Sequence, residues 1–142
     1  MDKVINILMV EDDSLDVRDA QRTLDKMNVL YKMQVARNGE EALAYLKDGA
    51  DNPGYMRPDI VLLDLNMPKM NGAEFLQAIR TSDQLKDLKV FVITTSDEKE
   101  DRQKVKDLGV SGYIVKPLKF NNPSSIDSFN LMIDIMNIKN RI

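Results

Sequence analysis

VINILMVEDD, residues 4–13, is the stretch that decides the fold. Its first seven residues are apolar apart from Asn6, the mark of a strand covered on both faces, and Glu11, Asp12 and Asp13 follow without a break. Three shorter runs repeat the arrangement of a buried strand running straight into polar residues. They are 60–63 (IVLL) before Asp64, 90–93 (VFVI) before Thr94, Thr95 and Ser96, and 113–115 (YIV) before Lys116 and Pro117.

Between these runs the apolar spacing turns helical, with Val17, Ala20, Leu24 and Met27 on one stripe and Gly72, Phe75, Leu76 and Ile79 on another. Asp13 or Ser14 signals one helix start, and Asn38 with Glu41 signals the next. Residues 31–36 (YKMQVA) alternate apolar and polar, which predicts a strand with one covered face at the sheet edge. Residues 47–58, rich in Gly, Asn and Pro, predict a long surface loop. Strand and helix alternation predicts an α/β, doubly wound, flavodoxin-like fold: a five-stranded parallel sheet of order 2-1-3-4-5 with helices on both faces.

The chain of 142 residues, 43% hydrophobic and 30% charged, suits one soluble domain over residues 1–142. A net charge of −3 argues against direct nucleic-acid binding. No apolar run is long enough for a membrane span and no secretory leader stands at the N-terminus, so a cytoplasmic location is expected. With no cysteine and no histidine, chemistry here runs on carboxylates, hydroxyls, lysine and a bound metal.

In the proposed strand order the polar groups that end strands one, three, four and five converge on one rim. Carboxylates of Glu11, Asp12 and Asp64 crowded there repel, and a hard divalent cation such as Mg2+ relieves them. Asp12 and Asp64 are the expected direct ligands, with Glu11 acting mostly through water. Beside such a metal a carboxylate can take up a phosphoryl group, provided the transferred oxygens are offset. Lys116 supplies charge for one of them, and the Thr95 hydroxyl with the Ser96 N–H supplies donors for another.

VEDD at 10–13, LDLNMPKMNG at 63–72, TTS at 94–96 and GYIVKP at 112–117 together resemble the receiver domain of two-component response regulators, above all the short receiver-only kind that includes partners of bacterial phytochromes. The resemblance implies that Asp64 is the phosphoacceptor, that Glu11 and Asp12 are the acidic pair, and that the Asn66 carbonyl completes the Mg2+ site. It casts Thr95 and Lys116 as the switch hydroxyl and lysine, and Tyr113 as an aromatic switch that turns inward when Thr95 moves. It also places Asn66 and Asp97 at positions that tune phosphoryl lifetime, expected here to be short, and makes the Lys116–Pro117 bond a candidate cis peptide. The implied donor is a sensor histidine kinase or a histidine phosphotransfer protein, and the implied output is contact with a downstream protein target.

On the last helix, Ile126, Phe129, Ile133 and Met136 form one stripe and Leu131, Ile135, Ile138 and Ile142 a second, together spanning roughly 240°. That width predicts a homodimer through this helix. Two other functions compete. A haloacid-dehalogenase-type phosphohydrolase would use Asp64 as nucleophile, but it needs an aspartate where Asn66 stands. A mononucleotide or flavin binder needs a phosphate cradle where the acidic residues 11–13 lie.

Overall fold

The computed structural model describes residues 3–95, 98–116 and 126–140. Strands β1 (Ile5–Val10), β2 (Tyr31–Ala36), β3 (Ile60–Leu63), β4 (Val90–Thr94) and β5 (Gly112–Val115) alternate with helices α1 (Ser14–Lys26), α2 (Gly39–Asp48), α3 (Gly72–Arg80), α4 (Lys99–Lys106) and α5 (Ile126–Lys139). All four strand pairings are parallel, in the order β2-β1-β3-β4-β5. The parallel sheet and its order are those read from the sequence.

Apolar residues on both faces of the strands build two cores. Leu8, Val10, Val61, Leu63, Val90 and Val92 pack with Ala42, Leu46, Phe75, Leu76, Ile79 and Val105 from α2, α3 and α4. Their neighbours Ile7, Met9, Ile60, Leu62, Phe91, Ile93 and Ile114 pack with Ala20 and Leu24 of α1 and Leu131, Ile135 and Ile138 of α5. Alternate side chains point to opposite faces, so a continuous apolar run fills two layers at once. β2 alternates half-buried and exposed positions up to Ala36, as an edge strand should.

Helix starts follow local chemistry. The Asp13 carboxylate accepts from the Leu15 N–H, the Asn38 side chain accepts from Glu41 N–H, and Asn71 with Glu74 forms a reciprocal capping box ahead of α3. For α4 the cap is Glu98, and Ser96 and Asp97 lie outside the described residues.

The expected loop over 47–58 is shorter than its composition suggests. α2 continues through Asp48, and the Gly49 N–H still donates to the Tyr45 carbonyl before a single 3-10 turn over Gly49–Asp51. Helical hydrogen bonding persists because Leu46 is anchored in the core, and the glycine leaves room for the Tyr55 ring.

α5 buries Leu131, Ile135 and Ile138, and rests Met132 and Met136 partly on the same core. Of its described apolar side chains only Ile133 stands well exposed, at 40%. Among the described side chains the argument from width for a partner copy rests on Ile133. Ile126, Phe129 and Ile142, which complete the stripes, lie outside the described side chains. Among the described residues no helix is long and apolar enough to cross a membrane.

Candidate acidic site at the strand ends

β1 and β3 are hydrogen-bonded neighbours, and the register sets Val10 opposite Leu63. The residues that follow, Glu11 and Asp64, must then leave the sheet side by side. The Asp64 N–H donates to the Val10 carbonyl at 3.0 Å and the Glu11 N–H to the Ala36 carbonyl at 2.8 Å, so both positions are fixed by extensions of the ladder. Oxygen atoms of Glu11, Asp12 and Asp64 lie within 4.8 Å of one another. Glu11 and Asp64 are buried and Asp12 is exposed, which puts the group at the rim of the sheet. Asp12 and Glu11 open onto a cleft of about 470 Å³ that Arg18 and Arg37 also line.

Lys116 arrives from the end of β5, its N–H donating to the Thr94 carbonyl at 2.8 Å. Its ammonium sits 2.7 Å from Glu11 Oε1, 2.6 Å from Asp16 Oδ2 and 4.0 Å from Asp64 Oδ1. The lysine was expected to supply charge to an oxygen of a transferred phosphoryl group; its hydrogen bonds here go to Glu11 and to Asp16. Asp16, in the first turn of α1, was not anticipated. The only sign of it in sequence is an acidic residue in the first turn of the helix that leaves the rim. No spacing rule connects it to a lysine 100 residues away.

These contacts set the protonation of the group. Burial pushes the Glu11 carboxyl up to about 7, helped by the charge of Asp64 and opposed by the Lys116 hydrogen bond. Burial likewise raises Asp64, against the Lys116 charge, a hydrogen bond from Glu11 and one from the Asn66 backbone. For Lys116, burial alone would lower the pKa; the bonds to Asp16 and Glu11 and the charges of Asp64 and Glu11 outweigh it, and the ammonium is held above its usual range. Two buried carboxylates that resist ionisation together suit a divalent cation.

The remaining expected residues surround the group less closely. Thr94 ends β4 fully buried and Thr95 follows it, exposed. Asn66 is exposed on the loop after β3. Tyr113, expected to turn inward on switching, is already 7% exposed, with the Arg102 guanidinium 4.6 Å from its ring centre. Ser96, Asp97 and the Lys116–Pro117 bond lie outside the described residues.

A second residue escaped the sequence reading for a different reason. Gly72 begins α3 against the loop that carries Asp64: a Cβ there would collide with the Asp64 carbonyl and lie 2.8 Å from Leu65 Cα. The glycine was assigned to the apolar stripe of the helix, whereas its role is to admit backbone.

Comparison with known proteins agrees with this geometry. The response regulator Rcp1 of Synechocystis sp. is 36% identical over 110 residues, 78% of this chain and 75% of its own. The crystal structure of the phosphorylated cyanobacterial phytochrome response regulator RcpA superposes with a TM-score of 0.74 at 34% identity, covering 95% of this chain and 91% of that one. The Mn2+-bound form of Rcp1 superposes at 0.76 with 30% identity, covering 97% of each chain. The acidic group at the strand ends thus suits a divalent metal by its oxygen donors and by the metal seen in a structural relative. The model of the response regulator receiver domain matches residues 7–124, most of the chain's length, and this protein belongs to that family.

Proposed function

We propose that the chain is a phosphorylation switch in a two-component relay, and that the Asp64 carboxylate accepts the phosphoryl group. The observation that carries the reading is the position of Asp64, buried beside the carboxylates of Glu11 and Asp12 and 4.0 Å from the Lys116 ammonium. An Asp64 oxygen bonds to phosphorus as the donor's P–N or P–O bond breaks, and the leaving group departs with the bonding pair and then takes a proton. A sensor histidine kinase or phosphotransfer protein is the donor class. Asp12 and Asp64, with Glu11 and the Asn66 carbonyl, are the residues that would hold Mg2+. Bound there, the ion would offset charge on the phosphoryl oxygens. Lys116 orients the acceptor and neutralises one oxygen, and Thr95 donates to another. The altered rim then changes what the domain binds among protein targets.

The competing phosphohydrolase reading is weakened by Asn66, which cannot act as the second carboxylate of such an enzyme. Incubation with acetyl phosphate and Mg2+, followed by intact mass, separates the two. The switch predicts at most one phosphoryl group per chain and no turnover of unrelated phosphate esters. Sustained release of phosphate from such esters would favour the enzyme.

A further inference from the structure

We propose that Asp16 is a positioning residue that tethers Lys116 away from Asp64 in the unphosphorylated chain and releases it when the acceptor is charged. The inference rests on Asp64 being the phosphoacceptor. An ammonium has three N–H donors, and short bonds to Glu11 Oε1 and Asp16 Oδ2 occupy two of them. At 4.0 Å from Asp64 Oδ1 the nitrogen is outside hydrogen-bonding range. Bringing it onto an oxygen at the acceptor takes about 1 Å of travel, and the proposed exchange gives up one short bond for it.

The burial of the two partners decides which bond yields. The Glu11 side chain is 1% exposed, and without the ammonium it would be left a buried acid that has lost its ion-pair partner. The Asp16 side chain is 29% exposed, so water can replace the lysine there. Asp16 also stands in the first turn of α1, where the free backbone N–H groups favour a carboxylate that has lost its cation. Lys116 thus keeps Glu11 and exchanges Asp16 for a phosphoryl oxygen.

The test is the rate of phosphoryl uptake from acetyl phosphate in Mg2+, followed by intact mass, for the full chain and three variants. Asp16→Asn should speed uptake by about three- to ten-fold, the effect of removing one half-buried ionic tether. Asp16→Glu keeps the carboxylate and should restore a rate near that of the unaltered chain. Asp13→Asn removes an exposed charge next to the acidic pair in sequence while preserving the helix cap, and should stay within about two-fold. Thermal melts of each variant establish that the fold persists. An unchanged rate in Asp16→Asn overturns the tether, as does an equal acceleration in Asp13→Asn, which would make the effect one of general charge. Failure of the unaltered chain to take up any phosphoryl group would instead overturn the phosphoacceptor reading beneath it.

Discussion

At the scale of single residues the site sets a proton and a lysine against buried carboxylates that suit a divalent metal. Glu11 has its carboxyl raised to about 7 by burial, so it is largely protonated at pH 6 and largely ionised at pH 8. A divalent cation bound there would have to displace that proton. Mg2+ affinity should therefore fall as pH drops through 7, by at most about ten-fold per unit, and titration calorimetry at pH 6 and pH 8 checks it. Equal affinities at the two values would contradict the account. Glu11, Asp12, Asp64 and Lys116 were all legible in sequence because each directly ends a buried strand, and strand order alone brings such residues together. Asp16 was not, because its contact depends on which way a lysine side chain leans after the sheet has formed.

At the scale of elements, two connections decide whether the rim holds its shape. Gly72→Ala should push the first turn of α3 away from the Asp64 loop, since the added methyl meets backbone instead of a yielding side chain. The expected result is a loss of about 1–3 kcal/mol in urea unfolding together with weakened Mg2+ binding. Unaltered stability and metal affinity would show that the approach is not tight. On the far side of the sheet, Arg80 at the end of α3 donates to the carbonyls of Leu108, Gly109, Lys86 and Leu88, tying the end of α3 to the turns before β4 and β5. Arg80→Ala should cost about 2–3 kcal/mol, because charge-assisted bonds to four backbone carbonyls are lost, while phosphoryl uptake at the opposite rim persists. The sequence gives no hint of this clamp, as one arginine at a helix end has the same local pattern whether it is solvated or bonded four ways. Likewise the extension of α2 past Lys47 was hidden by glycine and asparagine, whose turn preference loses to the anchoring of Leu46.

At the scale of the molecule, the sheet order and both cores could be read in advance because all-apolar strands leave few parallel arrangements that cover both faces. The same burial makes the acidic site costly when it is empty of metal. Glu11 has a higher pKa in the folded chain than the usual 4.5, so protonation favours the fold. The metal-free protein should lose that stability as pH rises from about 4.5 through about 7. Mg2+ should restore stability above pH 7 through binding to the folded state alone, measurable as a shift in the urea midpoint. The most direct test of the central claim locates the phosphoryl group itself. Chain loaded from a small phosphodonor in Mg2+ is reduced with borohydride, which converts an aspartyl phosphate to homoserine, and is then mapped by peptide mass spectrometry. The account predicts homoserine at position 64 alone, abolished by Asp64→Asn; modification at another carboxylate, or none, would contradict it.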